Sequence, residues 1–320
     1  MPKRARHRDK KLTSDAAVHP PGVIEGVVRS LRPHQWVKNV LLFAALVFSQ
    51  KMGDVRAVLL ASAGFVIFCL LSSFVYLVND VLDREHDRLH PVKRYRPIAS
   101  GVVPLPVAVG LAVVLLVAGL AGAVGVGRWF LLTALAYALL SLAYCFALKK
   151  IVILDVMVLA VGYTLRAVAG AEAIAVEFSD WLLLCTTLLA LFLGFCKRRQ
   201  ELTSLRHDAV SHRSVLAGYT EPFLDQMIAV VTASTVVAYM FYALSDDVAA
   251  KLGTPYLGLT VPFVLYGIFR YFYLVHVRGG GGRPSRELMT DKPLVINVLL
   301  YGLTVIVLLY LLPAASAPGA

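Results

Sequence analysis

Apolar residues run through this chain in long stretches, and polar residues gather in the short segments between them. The stretches are 40–49, 55–78, 102–126, 129–148, 151–171, 181–196, 223–244, 256–277 and 294–312. A helix of roughly 20 apolar residues crosses the ~30 Å hydrocarbon core of a bilayer. Every stretch but the first reaches or approaches that length. The pattern predicts an all-α integral membrane protein: nine transmembrane helices in one bundle, with loops capping its charged end.

The first stretch is short, and an apolar run of ~10–14 residues need not cross at all. The distribution of Lys and Arg decides the matter, because cytoplasmic segments carry the excess. With nine crossings, 25 of the 31 Lys and Arg residues fall on the side of the N-terminus and 4 on the other. Removing the first crossing would strand nine positive charges, those up to Lys38, on the poor side. The expected topology is therefore a cytoplasmic N-terminus and an external C-terminus in a plasma (inner) membrane. Residues 1–30 read as a basic cytoplasmic tail and 31–320 as one nine-helix catalytic domain.

Composition agrees. Of 320 residues, 58% are hydrophobic and 16% charged, against about 25% charged in a soluble domain. The net charge of +11 is largely a topology signal. The basic tail lacks interleaved aromatics, so it suits anionic lipid headgroups rather than nucleic acid. Cys69, Cys145, Cys185 and Cys196 all lie in apolar stretches without a C-x-x-C pair, and read as small core residues. No secretory signal peptide is evident. Oligomeric state is open, and a homo-oligomer is compatible with the pattern.

Candidate chemistry begins where the second stretch ends. Asn79, Asp83 and Asp87 are spaced by four, which on a continuous helix aims an amide oxygen and two carboxylates in one direction. Oxygen ligands of this kind suit Mg²⁺, which binds through one or two carboxylates plus substrate phosphates. A solvated acidic face is the competing reading. The basic residues Arg84, Arg88, Lys93, Arg94 and Arg96 crowd the same loop, as a magnesium-bound polyphosphate requires. Pro91, Pro97 and Gly101 break helix there, so this loop should fold back over the acidic face.

Other polar residues are more ambiguous. Trp36 and Lys38 before the first crossing, and Tyr144 and Lys149 at the end of the fourth, fit either substrate binding or an interfacial aromatic belt with snorkelling lysines. Asp155, Tyr163 and Arg166 lie within the fifth crossing, where an ionisable group is costly and is a functional hypothesis by default. Arg166 could equally pair with Glu172. In Lys197-Arg-Arg-Gln-Glu201, the order of Lys197 and Glu201 is the weaker one for a helical ion pair.

The pattern Asn79-Asp-x-x-Asp83-x-x-x-Asp87 after the second helix resembles the UbiA superfamily of intramembrane prenyltransferases. That resemblance implies a Mg²⁺-bound diphosphate at the first motif and a second acidic motif after the sixth helix. The chain departs at the second place, which reads Lys197-Arg-Arg-Gln-Glu201. The departure is similar to one branch, the decaprenyl-phosphate phosphoribosyltransferases of mycobacteria and corynebacteria. Arg32-Pro-x-Gln-Trp36-x-Lys38-Asn39 and His90-Pro-x-Lys93-x-x-Arg96-Pro-Ile-Ala-Ser-Gly101 resemble the same branch.

The branch implies transfer of 5-phosphoribosyl from phosphoribosyl diphosphate (PRPP) to a polyprenyl phosphate, with release of diphosphate, toward cell-wall arabinan. On this reading Asn79, Asp83 and Asp87 are the catalytic, metal-holding set. Lys38, Lys93, Arg96, Tyr144, Lys149, Arg166, Lys197, Arg198 and Glu201 bind substrate. Lys197 and Arg198 are expected on the donor's phosphates, and Glu201 on Lys197 or a ribose hydroxyl. The alternative is a prenyltransferase joining a polyprenyl diphosphate to an aromatic or quinone acceptor, which should want acidic residues in the second loop. A transporter would place its polar residues at the midplane rather than at one face.

Overall fold

The computed structural model of the chain describes residues 22–177, 179–205, 214–282 and 284–312. Most of the basic tail and part of the loop after the sixth stretch lie outside the described residues. Tail residues that are described do not all extend as a free strand of chain: α1 (Val23–Leu31) is helical. Its apolar positions recur at helical spacing, with Gly26 and Ser30 buried and Ile24 and Val28 exposed. The helix ends at Arg32, whose φ of 53° is left-handed.

The first stretch is not one long α-helix. It runs as a 3-10 helix over Pro33–Leu42 and then α2 (Phe43–Phe48). A 3-10 helix rises ~2.0 Å per residue, so this segment reaches further than its length suggests. Its ends are pinned to opposite ends of the bundle. Arg32 bonds Asp80 at one end, while Gln50 Nε2 donates to the Leu252 carbonyl at the other. Tyr310 closes the same far end by donating to the Val47 carbonyl at 2.9 Å.

Among the described residues, eight further helical segments are long and apolar enough to cross a membrane. They contain α3 (Val55–Leu82), α5 (Leu105–Val126), α6 (Arg128–Phe146), α7 (Leu154–Ala173), α8 (Asp180–Leu205) and α9 (Glu221–Leu244). Short α10 (Asp246–Leu252) follows, then a 3-10 turn (Pro255–Thr260) running into α11 (Val261–His276). Short α12 (Pro284–Thr290) precedes α13 (Lys292–Ile306). Helix is the expected outcome, since a backbone in lipid must satisfy its hydrogen bonds internally. The chain is a multi-pass membrane protein.

Two of the apolar clusters among the described residues hold the bundle's halves. One joins the first segment, α3, α6 and α7 around Leu42, Phe68 and Phe130. The other joins α8, α9 and α11 around Phe192, Ile228 and Tyr271. Gly170 matters for what lies between them. A Cβ there would meet the Leu42 carbonyl oxygen at 2.1 Å, so only glycine lets the first segment lie directly on α7. That contact brings Asn39, one 3-10 turn before Leu42, up to Arg166, one turn before Gly170.

The glycine run at 279–282 is tied down. Tyr271 donates to the Gly281 carbonyl at 3.0 Å, and the Gly280 amide donates to the Leu274 carbonyl at 2.9 Å.

Candidate active site at the charged end of the bundle

The acidic motif divides into two clusters. Helix α3 stops at Asp83, whose φ of −89° and ψ of 3° leave helical geometry, and α4 (Arg84–Leu89) starts afresh. The interruption is local, since the Asp83 amide donates to the Asn79 carbonyl at 2.9 Å and the Asp87 amide to the Asp83 carbonyl at 2.8 Å, but the three side chains do not share one partner. Asn79 and Asp83 stay together. Lys149 Nζ, from the turn after α6, donates to Asn79 Oδ1 at 3.3 Å and Asp83 Oδ1 at 2.6 Å.

Asp87 instead joins Asp80. Arg96 Nη1 donates to Asp80 Oδ1 at 3.0 Å and to Asp87 Oδ2 at 2.6 Å. Arg32 Nη2 donates to the same Asp80 oxygen at 2.6 Å. Burial pushes the Asp87 carboxyl above its usual range, while Arg96 and Lys93 pull against that shift. The loop carrying Arg96 does fold back, as its prolines suggested: Arg88 Nε donates to the Ala99 carbonyl, and Gly101 turns the chain with φ of 84°. His90 Nδ1 accepts from the amides of Val92 and Lys93, fixing the turn that presents Lys93.

Toward the middle of the bundle lies a neutral-partnered arginine. Arg166 donates to Asn39 Oδ1 at 2.7 Å, the Gly162 carbonyl at 2.7 Å and the Tyr137 hydroxyl at 2.8 Å. Its guanidinium also lies over the rings of Tyr137 and Tyr163. Glu172, the partner considered from sequence, is six residues on and takes no part in these bonds. Lys38, one residue before Asn39, is within electrostatic range of Lys197, Arg166 and Arg32.

The basic motif on α8 forms a network of its own. Arg198 is fully buried and donates through Nε to Asp155 Oδ2 at 2.5 Å and through Nη1 to Glu201 Oε2 at 2.7 Å. Tyr219 donates to Asp155 Oδ1 at 2.6 Å and accepts from the Ile153 amide at 2.7 Å. Ile153 has φ of 69°, a strained value for a β-branched residue, so Tyr219 restrains both the strained turn and the buried acid. Arg198 Nη2 is buried without a hydrogen-bond partner among the described residues. Tyr144 lies within electrostatic range of Arg198, and Lys197 Nζ is 3.8 Å from Glu201 Oε1.

The residues expected to bind substrate thus fall into four neighbourhoods: Lys149 with the acidic motif, Lys93 and Arg96 on the covering loop, Lys38 and Arg166 deeper between helices, and Lys197, Arg198 and Glu201 on α8 with Tyr144 in electrostatic range. Sequence reasoning gave no role to Asp80, Asn39, Tyr137 or Tyr219. Asp80 had a signal, since it sits two turns before Asp87. The others meet their partners across long separations that spacing does not encode.

The fit of a metal is set by the donors. Among the described residues, no three His, Cys, Asp or Glu side chains gather as a metal cluster. Asn79 and Asp83 nevertheless aim two oxygens at one cation, the Lys149 ammonium. One amide and one carboxylate are a set that Mg²⁺ accepts when phosphates complete its shell.

An apolar cavity of about 420 Å³ lies between the first segment and helices α8, α9, α11 and α13, with Leu41, Ala44, Leu189, Leu193 and Tyr301 on its wall.

Known proteins resemble the whole arrangement. The chain is 37% identical to a decaprenyl-phosphate phosphoribosyltransferase of Mycobacterium tuberculosis, over 92% of this chain and 98% of that protein. It is 34% identical to one of Corynebacterium glutamicum, over 92% and 90%. A UbiA homolog from Archaeoglobus fulgidus, solved bound to DMAPP and Mg2+, shares the fold with a TM-score of 0.67 at 19% identity, over 88% of this chain and 99% of that one. The model of the UbiA prenyltransferase family matches residues 40–290, and the chain belongs to that family.

Proposed function

We propose that this protein transfers the 5-phosphoribosyl group of PRPP to decaprenyl (polyprenyl) phosphate and releases diphosphate, a step that supplies precursor for cell-wall arabinan. Its similarity to the mycobacterial and corynebacterial phosphoribosyltransferases over nine-tenths of its length supports the substrates. One observation carries the choice within the family. Where a second acidic motif is expected, Arg198 is buried between Asp155 and Glu201, and both carboxylates are spent on it. That leaves the Asn79–Asp83 pair as the oxygen donors for a metal–diphosphate. The same observation argues against the alternative, a prenyl transfer to an aromatic or quinone acceptor.

Asn79 and Asp83 would hold Mg²⁺, with Asp87 joining them once Arg96 turns to substrate. When bound, Mg²⁺ supplies Lewis-acid neutralisation of the charge that grows on the departing diphosphate. Lys149, relieved of Asp83, is placed to bond a diphosphate oxygen. Lys93 and Arg96 cover the site from the folded-back loop, and arginine can grip phosphate through two parallel hydrogen bonds.

The ribose C1–O bond to diphosphate breaks through an oxocarbenium-like state, as in other glycosyl transfers. A lipid phosphate oxygen bonds to C1. That oxygen is already anionic at neutral pH, so a strong general base is not needed. The charged end faces the cytoplasm of the plasma membrane, by the same Lys and Arg bias that assigns nine crossings and an external C-terminus.

The test is diphosphate release by purified protein, with each component omitted in turn. Release should require PRPP, Mg²⁺ and polyprenyl phosphate together. Release from a polyprenyl diphosphate with an aromatic acceptor, and none from PRPP, would overturn the proposal.

A further inference from the structure

Helix α1 divides its surface three ways. Gly26 and Ser30 are buried, while Glu25 and Arg29 pair across a second face. Ile24 and Val28, four residues apart, share a third. Ile24 is 82% exposed and Val28 49%, although both are large aliphatic side chains.

The buried face holds the covering loop. A Cβ on Gly26 would meet Val102 Cγ1 at 2.8 Å, Val103 Cγ2 at 3.0 Å and Pro97 Cβ at 3.4 Å. Val27 and Leu31 pack on the cluster that contains Phe74, Leu77, Ile98 and Val103. The Val103 amide donates to the Pro97 carbonyl at 2.9 Å and closes this stretch into a turn. The residues directly after Arg96 are thus wedged between α1 and helices α3 and α5.

Two contacts fix the depth of α1. The Leu31 carbonyl accepts from Ser73 Oγ at 3.0 Å, and Ser73 lies about 27 Å along α3 from its start at Val55. Gly26 sits beside Val102 and Val103, just before α5, whose 22 residues span about 33 Å. Against a hydrocarbon core of ~30 Å, both contacts put α1 at the edge of the core, along the charged end. Helices with one aliphatic and one charged face bury the aliphatic one at the boundary of headgroups and acyl chains. Residues 1–11 carry six Lys or Arg and one Asp, a composition that is drawn to headgroups.

We propose that the Ile24–Val28 face of α1 docks on the headgroup–acyl boundary of the bilayer, and that this seat braces the loop presenting Lys93 and Arg96. The partner is the lipid surface itself, continuous with the lipid that surrounds α3 and α5. The docking does not depend on the proposed reaction; only its effect on the donor rests on that reading.

The experiment uses full-length protein in vesicles of phosphatidylcholine and phosphatidylglycerol that contain a lipid with a nitroxide near its headgroup. A bimane probe on Ile24→Cys should be quenched strongly and one on Glu25→Cys weakly, with the native protein setting the background from its own cysteines. An Ile24 probe quenched no more than the Glu25 probe, whether it faces water or a second copy of the chain, would overturn the docking.

Hydrogen exchange reads the bracing. Ile24→Gln with Val28→Gln should speed exchange of the Ser100 and Val103 amides about tenfold, while amides in the middle of α9 keep their rates. Unchanged exchange in the loop of the folded variant contradicts the proposal. Should the double variant not fold, Ile24→Gln alone is measured in the same way. The variant should also raise KM for PRPP about fivefold, because fewer molecules hold the loop in place, and leave KM for polyprenyl phosphate unchanged. If the native protein consumes no PRPP, the proposed reaction fails, while quenching and exchange still decide the inference.

Discussion

Lys149 reaches across 66 residues of sequence to donate to Asp83 at 2.6 Å, and the same ammonium touches Asn79. A cation already sits where two hard oxygen donors converge, which is the strongest structural support for a metal–diphosphate there. Both side chains are partly open, 17% and 32% exposed, so the pair adds little to stability, about 1 kcal/mol at most. Asp83→Ala should therefore leave the melting temperature nearly unchanged. It should lower turnover about a hundredfold or more, as expected for loss of Lewis-acid stabilisation. Asp87→Ala should lower turnover likewise, but with some loss of stability, because Asp87 is buried against Arg96. Near-normal turnover of either variant at saturating Mg²⁺ would remove these residues from the site.

Arg198 and Asp155 make the opposite case, because both are fully buried. Breaking a buried pair leaves one charge uncompensated and costs roughly 3–5 kcal/mol, whereas replacing both partners with apolar residues is often neutral. Asp155→Leu and Arg198→Met should each lower the melting temperature steeply, and the double variant should recover most of it. Additive losses in this cycle would show that the two residues are not coupled. The recovered double variant also asks whether the arginine touches substrate, since a merely structural pair would give back activity along with stability.

Much of this could be read along the chain, and the remainder has identifiable reasons. Hydropathy marked the membrane-crossing helices, and a spacing of four marked Asn79 with Asp83. The pairing of Asp87 with Asp80 is an i, i+7 relation that helical spacing does encode, but the spacing of four overshadows it. Arg198 read as a phosphate ligand because its acid partner, Asp155, lies 43 residues earlier. The first segment was legible as short but not as a 3-10 helix, a form its own propensities do not specify.

Gly170 is a case with no sequence signal at all, since small residues are common in such helices. Its contact with the Leu42 carbonyl sets the seat of Asn39 against Arg166. Gly170→Ala should displace the first segment and destabilise the protein by about 3 kcal/mol, the upper range for overpacking. Thermal unfolding in detergent checks this, and an unaltered midpoint would mean that the segment can shift without cost.

Orientation can be tested with cysteines at two exposed positions on opposite ends of the bundle. Ser100 is on the covering loop, and Met52 lies just before α3. In intact cells stripped of outer barriers, a membrane-impermeant thiol reagent should label Met52→Cys and spare Ser100→Cys. Labelling of the latter would invert the topology drawn from the charge bias.

The central claim is that one chain joins a phosphoribosyl group to a lipid phosphate. Mass spectrometry of the lipid fraction measures this most directly, after purified protein is incubated with PRPP, Mg²⁺ and polyprenyl phosphate. The account predicts a lipid heavier by one phosphoribosyl group, formed in step with diphosphate and absent with Asp83→Ala. An unchanged lipid phosphate, alongside prenylation of an aromatic acceptor by the same preparation, would contradict it.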